Sequence, residues 1–174
     1  MSNERYEVLG QIVEAVKIVC DCTNVTKLIP EVRSNITMCT SDPKTPEDVA
    51  GVPGRLTVIN GRVAYYAYPE WAASVNTAKV LIMMNSLRRD LRAVMEVKYM
   101  PKLIEVLEKN GYTLYEIPDS NSWESTFEKG LTAGHEDFPI FHSKGDWARE
   151  GAVIVSGPDA VTVAKKVVEI ANLL

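Results

Sequence analysis

Apolar and polar positions along the chain predict most of its elements. From Glu4 to about Cys20, Tyr6, Leu9, Ile12, Val13, Val16 and Val19 recur at three- and four-residue spacing, which predicts an amphipathic helix with one buried face. Pro30 ends any helical tendency through Leu28. Ser34–Ser41 then alternates Ile36 and Met38 with polar neighbours, the period of a half-buried strand. Arg55–Ile59 and Arg62–Tyr68 are β-rich runs joined by Asn60-Gly61, whose left-handed preference predicts a two-residue hairpin turn. Ser74–Leu87 reads as a largely apolar helix with Ser74 as its N-cap. A polar helical turn, Arg88–Arg92, precedes an alternating strand at Ala93–Tyr99. Pro101–Asn110 carries a first-turn proline and ends at Gly111, as a helix does. Tyr112–Ile117 is another strand, and Ser122–Lys129 a short helix stopped by Gly130. Phe138–His142 and Ala152–Val155 are short buried strands, and Asp159–Leu174 is a closing helix with a broad apolar face. Helices at both ends suit a sheet covered on two sides, an α/β architecture.

Composition bounds this picture. The 174 residues are 46% hydrophobic, enough for one well-buried core and short for two, so a single domain over residues 1–174 is expected. The formal charge of -4 supplies no basic field, which argues against nucleic acid as a partner of this chain by itself. No apolar run reaches the length of a membrane span, and Met1–Arg5 lacks the regions of a signal peptide. The expected location is cytoplasmic. Cys20, Cys22 and Cys39, with only His135 and His142 beside them, make a weak ligand set and are expected to be buried free thiols.

Candidate chemistry lies between Asp48 and Lys79. Gly51, Pro53 and Gly54 ahead of Arg55 make a loop that can bring backbone N–H groups and a guanidinium against an anion, a phosphate cradle. The same glycines and proline also suit an ordinary tight turn leading into a strand. A helix starting at Ser74 would add free N–H groups to such a cradle. Tyr65, Tyr66, Tyr68 and Trp71 cluster beside it. Aromatic rings can stack on flat heterocycles, and about half of these four are expected in the core, because alternation sends Tyr65 and Tyr66 to opposite faces.

Leu28–Asn35, Asp48–Arg55 and Pro69–Lys79, continued by Ser125-Thr126, Gly130 and Gly145-Asp146, resemble in order and spacing the archaeal thiamine-phosphate synthase domain, the ThiN family, in its standalone form. The resemblance implies a three-layer α/β/α fold with a mixed, mostly antiparallel sheet, related to the class II sugar-phosphate aldolases. It implies condensation of hydroxymethylpyrimidine diphosphate with thiazole phosphate to thiamine phosphate and pyrophosphate. Mg²⁺ is the ion that commonly shares the charge in such diphosphate chemistry. Carried over residue by residue, Arg55 matches the family's functional arginine and binds phosphate, and Asn76 stands at the catalytic histidine. Asp48, Gly51, Gly54, Ser74, Lys79 and Asp146 make up the substrate-binding set, with Asp48 ordering its loop. The implied partners are small phosphorylated pyrimidine, thiazole or thiamine phosphate molecules, and an uncovered face or strand edge leaves a homodimer open.

The chain departs from the family pattern in three places. Where the family shows Phe-Gly-Ala-Ser-x-His-x-Ala-Arg, Ala72, Asn76 and Lys79 replace glycine, histidine and arginine. Asparagine exchanges hydrogen bonds but carries neither proton nor charge, and lysine lacks the bidentate fork of arginine. The segment Lys144–Glu150 departs from Arg-Gly-Asp-x-Gly-x-Glu, keeping Asp146 and Glu150 for Mg²⁺ or for a cationic side chain. Two readings follow: a slowed synthase, and a thiamine-phosphate-binding module with the same pocket.

Overall fold

The structure, a computed structural model, describes residues 3–174. Met1 and Ser2, which open the segment inspected for a signal peptide, lie outside them. The main sheet has seven strands in the order β5-β2-β1-β6-β9-β8-β7. In chain order they are β1 (Ile36–Cys39), β2 (Val49–Gly51), β5 (Glu70–Trp71), β6 (Ala93–Lys98), β7 (Leu114–Glu116), β8 (Ile140–Asp146) and β9 (Arg149–Gly157), while β3 (Thr57–Ile59) and β4 (Arg62–Ala64) form a separate two-stranded hairpin. Among the described residues, only the β7–β8 pair of this sheet is parallel, and its other pairs are antiparallel. Helices α1 (Asn3–Asp21), α3 (Pro101–Lys109) and α5 (Ala160–Leu173) bury their apolar faces with Ile36, Met38, Met95, Val97 and Val155. Helices α2 (Val75–Leu87) and α4 (Trp123–Leu131) cover Cys39, Val94, Phe141 and Ile154. Because neighbouring strand residues face opposite sides, two distinct cores sandwich one sheet. The expected three-layer α/β/α fold with a mostly antiparallel sheet is the fold observed.

Several local expectations are corrected. On α1, Val8, Ile12, Ala15, Val16 and Val19 are buried, but Tyr6 and Val13 are exposed. All four residues of β1 are buried rather than alternate ones, because helices cover both faces of this central strand. Arg88–Arg92 is an irregular turn, since Leu91 is fully buried and the Arg88 side chain donates to the carbonyls of His135, Glu136 and Asp137. Gly130 lies inside α4 instead of stopping it: a Cβ there would sit 2.7 Å from the Phe141 ring, so glycine permits close helix–sheet packing. The two expected short strands near the carboxyl end are longer and form one hairpin, β8–β9, running on to Asp146 and Arg149. Gly145 at its tip has φ +81, and a Cβ would lie 2.3 Å from the Arg149 carbonyl oxygen. Tyr65, Tyr66 and Tyr68 are all exposed, and only Trp71 of that group is packed against the core. The three tyrosines follow β4, whose hairpin lies outside the main sheet, so their rings lie outside the two cores. Cys20 and Cys22 are half-buried and Cys39 is buried; all three are free, and burial pushes the Cys39 thiol up to about 12. Among the described residues, no helix is long and apolar enough to cross a membrane.

His142 on β8 gives the fold a pH-dependent contribution. It is 6% exposed, stacks on Tyr99 with ring centroids 6.1 Å apart, and its Nδ1 has no hydrogen-bond partner. Burial pushes its pKa below the ordinary value, with Glu116 opposing and Lys144 adding to the shift. The unfolded chain therefore takes up a proton near pH 6.5 that the folded chain still refuses. Stability is expected to fall as pH drops from about 6.5 towards the lowered folded pKa. His142→Phe keeps a stacked ring and removes the proton, so its melting temperature should decline less than wild type between about pH 7 and pH 5. Equal declines would remove His142 as the cause.

Candidate active site

Two short segments build the site. Ser34 and Leu56 pair as an isolated antiparallel bridge, with the Ser34 N–H donating to the Leu56 oxygen at 3.0 Å and the Leu56 N–H returning to Ser34 at 2.6 Å. The residue before each partner is an arginine with left-handed backbone, Arg33 at φ 71 and Arg55 at φ 64. Each guanidinium crosses to the other segment: Arg33 Nη1 donates to the Gly54 carbonyl and Arg55 Nη1 to the Val32 carbonyl, both at 3.0 Å. The result is a reciprocal clasp that holds two cations side by side. Left-handed backbone costs a non-glycine residue about 1–2 kcal/mol, and such strain concentrates where function fixes a side chain's direction.

Asn35 holds the next piece. Its side chain accepts from the Val52 N–H at 2.9 Å and donates to the Val52 carbonyl at 3.0 Å. This side-chain copy of strand pairing anchors the glycine loop ahead of Gly54, which has φ +77. The first turn of α2 faces the clasp. Ser74 is its N-cap residue by position but makes no side-chain bond to the backbone, its hydroxyl lying 3.2 Å from the Thr77 hydroxyl. No side chain competes for the N–H groups of that turn, which leaves them to an incoming anion.

Arg33, Arg55 and Asn76 border two adjoining cavities. One of about 580 Å³ runs over β6 and β9 and is also lined by Lys79, Glu96, Trp123, Arg149 and Glu150; the other, about 400 Å³, adds Gly54, Ala73, Ser74 and Val75. Together they form one cleft. Its first cavity presents Arg33, Arg55, Lys79 and Arg149 against Glu96 and Glu150, locally cationic within a chain of net charge -4. That inversion favours an anionic, multiply charged ligand. Arg149 stacks on Trp123 with its guanidinium 4.2 Å from the ring centroid. Glu96, on the central strand, has its pKa raised by burial, while Arg149 and Arg55 pull it back down.

Of the site residues expected from sequence, Arg55, Gly54, Ser74, Asn76 and Lys79 come together in the cleft. Asp48, Gly51 and Asp146 are not among its lining residues. The Asp48 carboxylate accepts from the Lys44 and Thr45 N–H groups at 2.8 and 3.1 Å, and the Lys44 bond leads in holding its pKa below the ordinary value. It orders the loop, as expected, but does so away from the cleft. Gly51 faces Thr37 and Asn35 across the sheet, so its small size accommodates the asparagine that anchors the loop. Asp146 occupies the hairpin tip, 3.4 Å from the Ala148 N–H, while Glu150 does line the cavity. Ala72, which the resemblance puts at a glycine position, has φ 57, a backbone state that glycine adopts most readily. Reading the sequence missed Arg33, Asn35, Glu96, Trp123 and Arg149 as site residues. Arg33 and Asn35 lie within a stretch that carried the resemblance, but Glu96 and Arg149 meet only through strand pairing. Among the described residues, no group of three or more His, Cys, Asp or Glu side chains could hold a metal ion by itself.

Comparison with known proteins places this geometry in a family. The family model described as thiamine-phosphate synthase ThiN matches residues 11–169. Thiamine-phosphate synthase ThiN of Methanothermobacter thermautotrophicus is 30% identical over 167 residues, covering 90% of this chain and 88% of the relative. The bifunctional thiamine biosynthesis protein ThiDN of Methanocaldococcus jannaschii is 33% identical over 147 residues, which is 80% of this chain but 35% of that longer protein. Among solved structures, the C-terminal domain of protein MJ0236 superposes with a TM-score of 0.85 at 26% identity, covering 97% of this chain and 96% of that one. An aldolase II superfamily protein from Pseudomonas syringae shares the fold with a TM-score of 0.54 at 13% identity over 99% of this chain and 75% of its own. With its family model matching residues 11–169 and a relative 30% identical over 90% of its length, the chain belongs to the thiamine-phosphate synthase ThiN family, whose work lies in thiamine biosynthesis.

Proposed function

We propose that this chain joins hydroxymethylpyrimidine diphosphate to thiazole phosphate, giving thiamine phosphate and pyrophosphate, at a rate held down by Asn76. The observation that carries this reading is the Arg33–Arg55 clasp facing the first turn of α2 in one cleft. In the reaction the pyrimidine methylene C–O bond breaks and pyrophosphate leaves with the electron pair. The thiazole nitrogen lone pair then forms the new C–N bond. Negative charge grows on the leaving group, so fixed guanidinium groups and helix N–H groups act most strongly in the transition state. Lys79 adds a third cation to the same cavity.

Mg²⁺ fits this site as an ion brought in by the diphosphate, because it is usually held by one or two carboxylates together with substrate phosphates. Glu150 is the carboxylate in the lining that would hold it. When bound, it would neutralise charge on the leaving pyrophosphate.

The resemblance, which puts Asn76 at the family's histidine position, favours a second reading: a cleft that binds the product without forming it would look the same. Purified protein assayed with both precursors and Mg²⁺ separates the two. Thiamine phosphate formed only when both precursors are present is the expected result. Tight product binding without turnover would establish the binding module instead, and neither activity would overturn both readings.

A further inference from the structure

The two ends of the cleft differ in chemistry. One is a phosphate end, with Gly54, the clasp and the first turn of α2. At the other, Trp123 of α4, Ser143 of β8 and Arg149 of β9 surround Glu96 of β6. Met95 and Val97 point into the core under α1 and α5, while Val94 points under α2 and α4. Alternation therefore turns the Glu96 side chain to the α2–α4 face, where the cavity lies. Its backbone is fixed by the Ser34 hydroxyl, which donates to the Glu96 carbonyl. Arg55 and Arg149 act on its carboxyl through charge alone, with no hydrogen bond to it. The side chain is only partly buried and opens on the cleft, so its carboxyl is available to a hydrogen-bond donor that a ligand brings.

We propose that Glu96 reads the pyrimidine: one carboxyl oxygen accepts from the exocyclic amine, the other faces the adjacent ring nitrogen, and the Trp123–Arg149 pair flanks the ring. The assignment rests on the reaction proposed above and deepens it. Neither other part of the two substrates suits Glu96. Phosphate groups are repelled by a carboxylate and have the cationic end to occupy. The thiazole offers no N–H donor, and its nitrogen lone pair must stay free to form the new bond. The aminopyrimidine edge presents a donor beside an acceptor, which is the complement of a carboxyl group. The raised pKa of Glu96 favours a proton shared with the ring nitrogen. As the C–O bond breaks, positive charge spreads from the methylene carbon towards the exocyclic amine, and an oxygen accepting from that amine stabilises it.

Calorimetry with four probes tests the assignment: the aminopyrimidine monophosphate, its analogue with hydrogen in place of the exocyclic amine, inorganic pyrophosphate and thiazole phosphate. Wild type should prefer the amino compound at least about tenfold, because a site built for a donor leaves polar groups unpaired with the analogue. Glu96→Ala should erase that preference while keeping pyrophosphate affinity. Glu96→Gln should retain most of it, since an amide also pairs one acceptor with one donor. Should Glu96→Ala fail to fold, the glutamine variant and the wild-type preference decide the matter. A wild type that binds pyrophosphate and thiazole phosphate yet shows no preference overturns the Glu96 assignment alone, as does Glu96→Ala with the preference intact. A wild type that binds neither pyrophosphate nor thiazole phosphate overturns the proposed reaction and Glu96 with it.

Discussion

Arg55→Ala should weaken binding of thiamine phosphate or of either phosphorylated precursor by about 1.5–3 kcal/mol, the worth of a charge-assisted contact. That is about a 10- to 150-fold rise in Kd. The guanidinium is held at the cleft by its bond to the Val32 carbonyl, so it meets the anion with little further loss of side-chain freedom. Arg55→Lys keeps the charge but loses the fork and should fall between. A third variant separates binding from folding. At φ 64, glycine relieves the left-handed strain that both arginine and alanine carry. Arg55→Gly should therefore lose as much affinity as Arg55→Ala while melting at a higher temperature than that variant. Calorimetry and thermal melting read the two effects independently, and unchanged affinity in Arg55→Ala would remove the arginine from the phosphate site.

Asn76→His should raise synthase turnover by at least about tenfold, equivalent to about 1.4 kcal/mol of barrier, with little change in ligand affinity. Asn76 borders both cavities, one residue into α2 and opposite the clasp. From there an imidazole can donate a proton or place a positive charge beside the departing pyrophosphate, where an amide offers only a neutral hydrogen bond. The side chain is exposed to the cleft, so the larger ring has room. Single-turnover rates with both precursors and Mg²⁺, wild type beside the variant, give the comparison. A wild-type rate equal to that of a histidine-bearing relative would defeat the view that Asn76 limits the chain. No turnover in either, together with tight product binding, would establish the binding module and shift attention to Ala72, which holds a left-handed backbone better suited to glycine.

Local patterns were legible wherever one physical cause dominates. The Asn60-Gly61 turn has both residues at positive φ, as its composition requires. Proline in the first turn set the start of α3, and Asp159 caps α5 by accepting from the Thr162 N–H at 2.7 Å. Arg55, Gly54, Ser74, Asn76 and Lys79 reach the cleft from two stretches close in sequence to the turn and the helix start that define them.

The rest was decided by partners distant in sequence. Burial of every residue in β1 depends on helices covering both faces of the sheet, and exposure of the three tyrosines on a hairpin that stays outside it; alternation within a strand can state neither. Gly130 is a helix-interior residue because Phe141 lies beneath it, although its local signal is that of a stop. Glu96 is an unremarkable charge within an alternating strand until pairing brings β9 and the Arg149 hairpin alongside. By itself, then, the sequence determined most of the elements, their order and the glycine loop ahead of Arg55, because backbone preferences and motif spacing are local. Only the tertiary structure decided which charges face one another, since the Arg33–Arg55 clasp and the Glu96 end of the cleft exist only where the sheet and α2 hold separate segments within hydrogen-bonding distance.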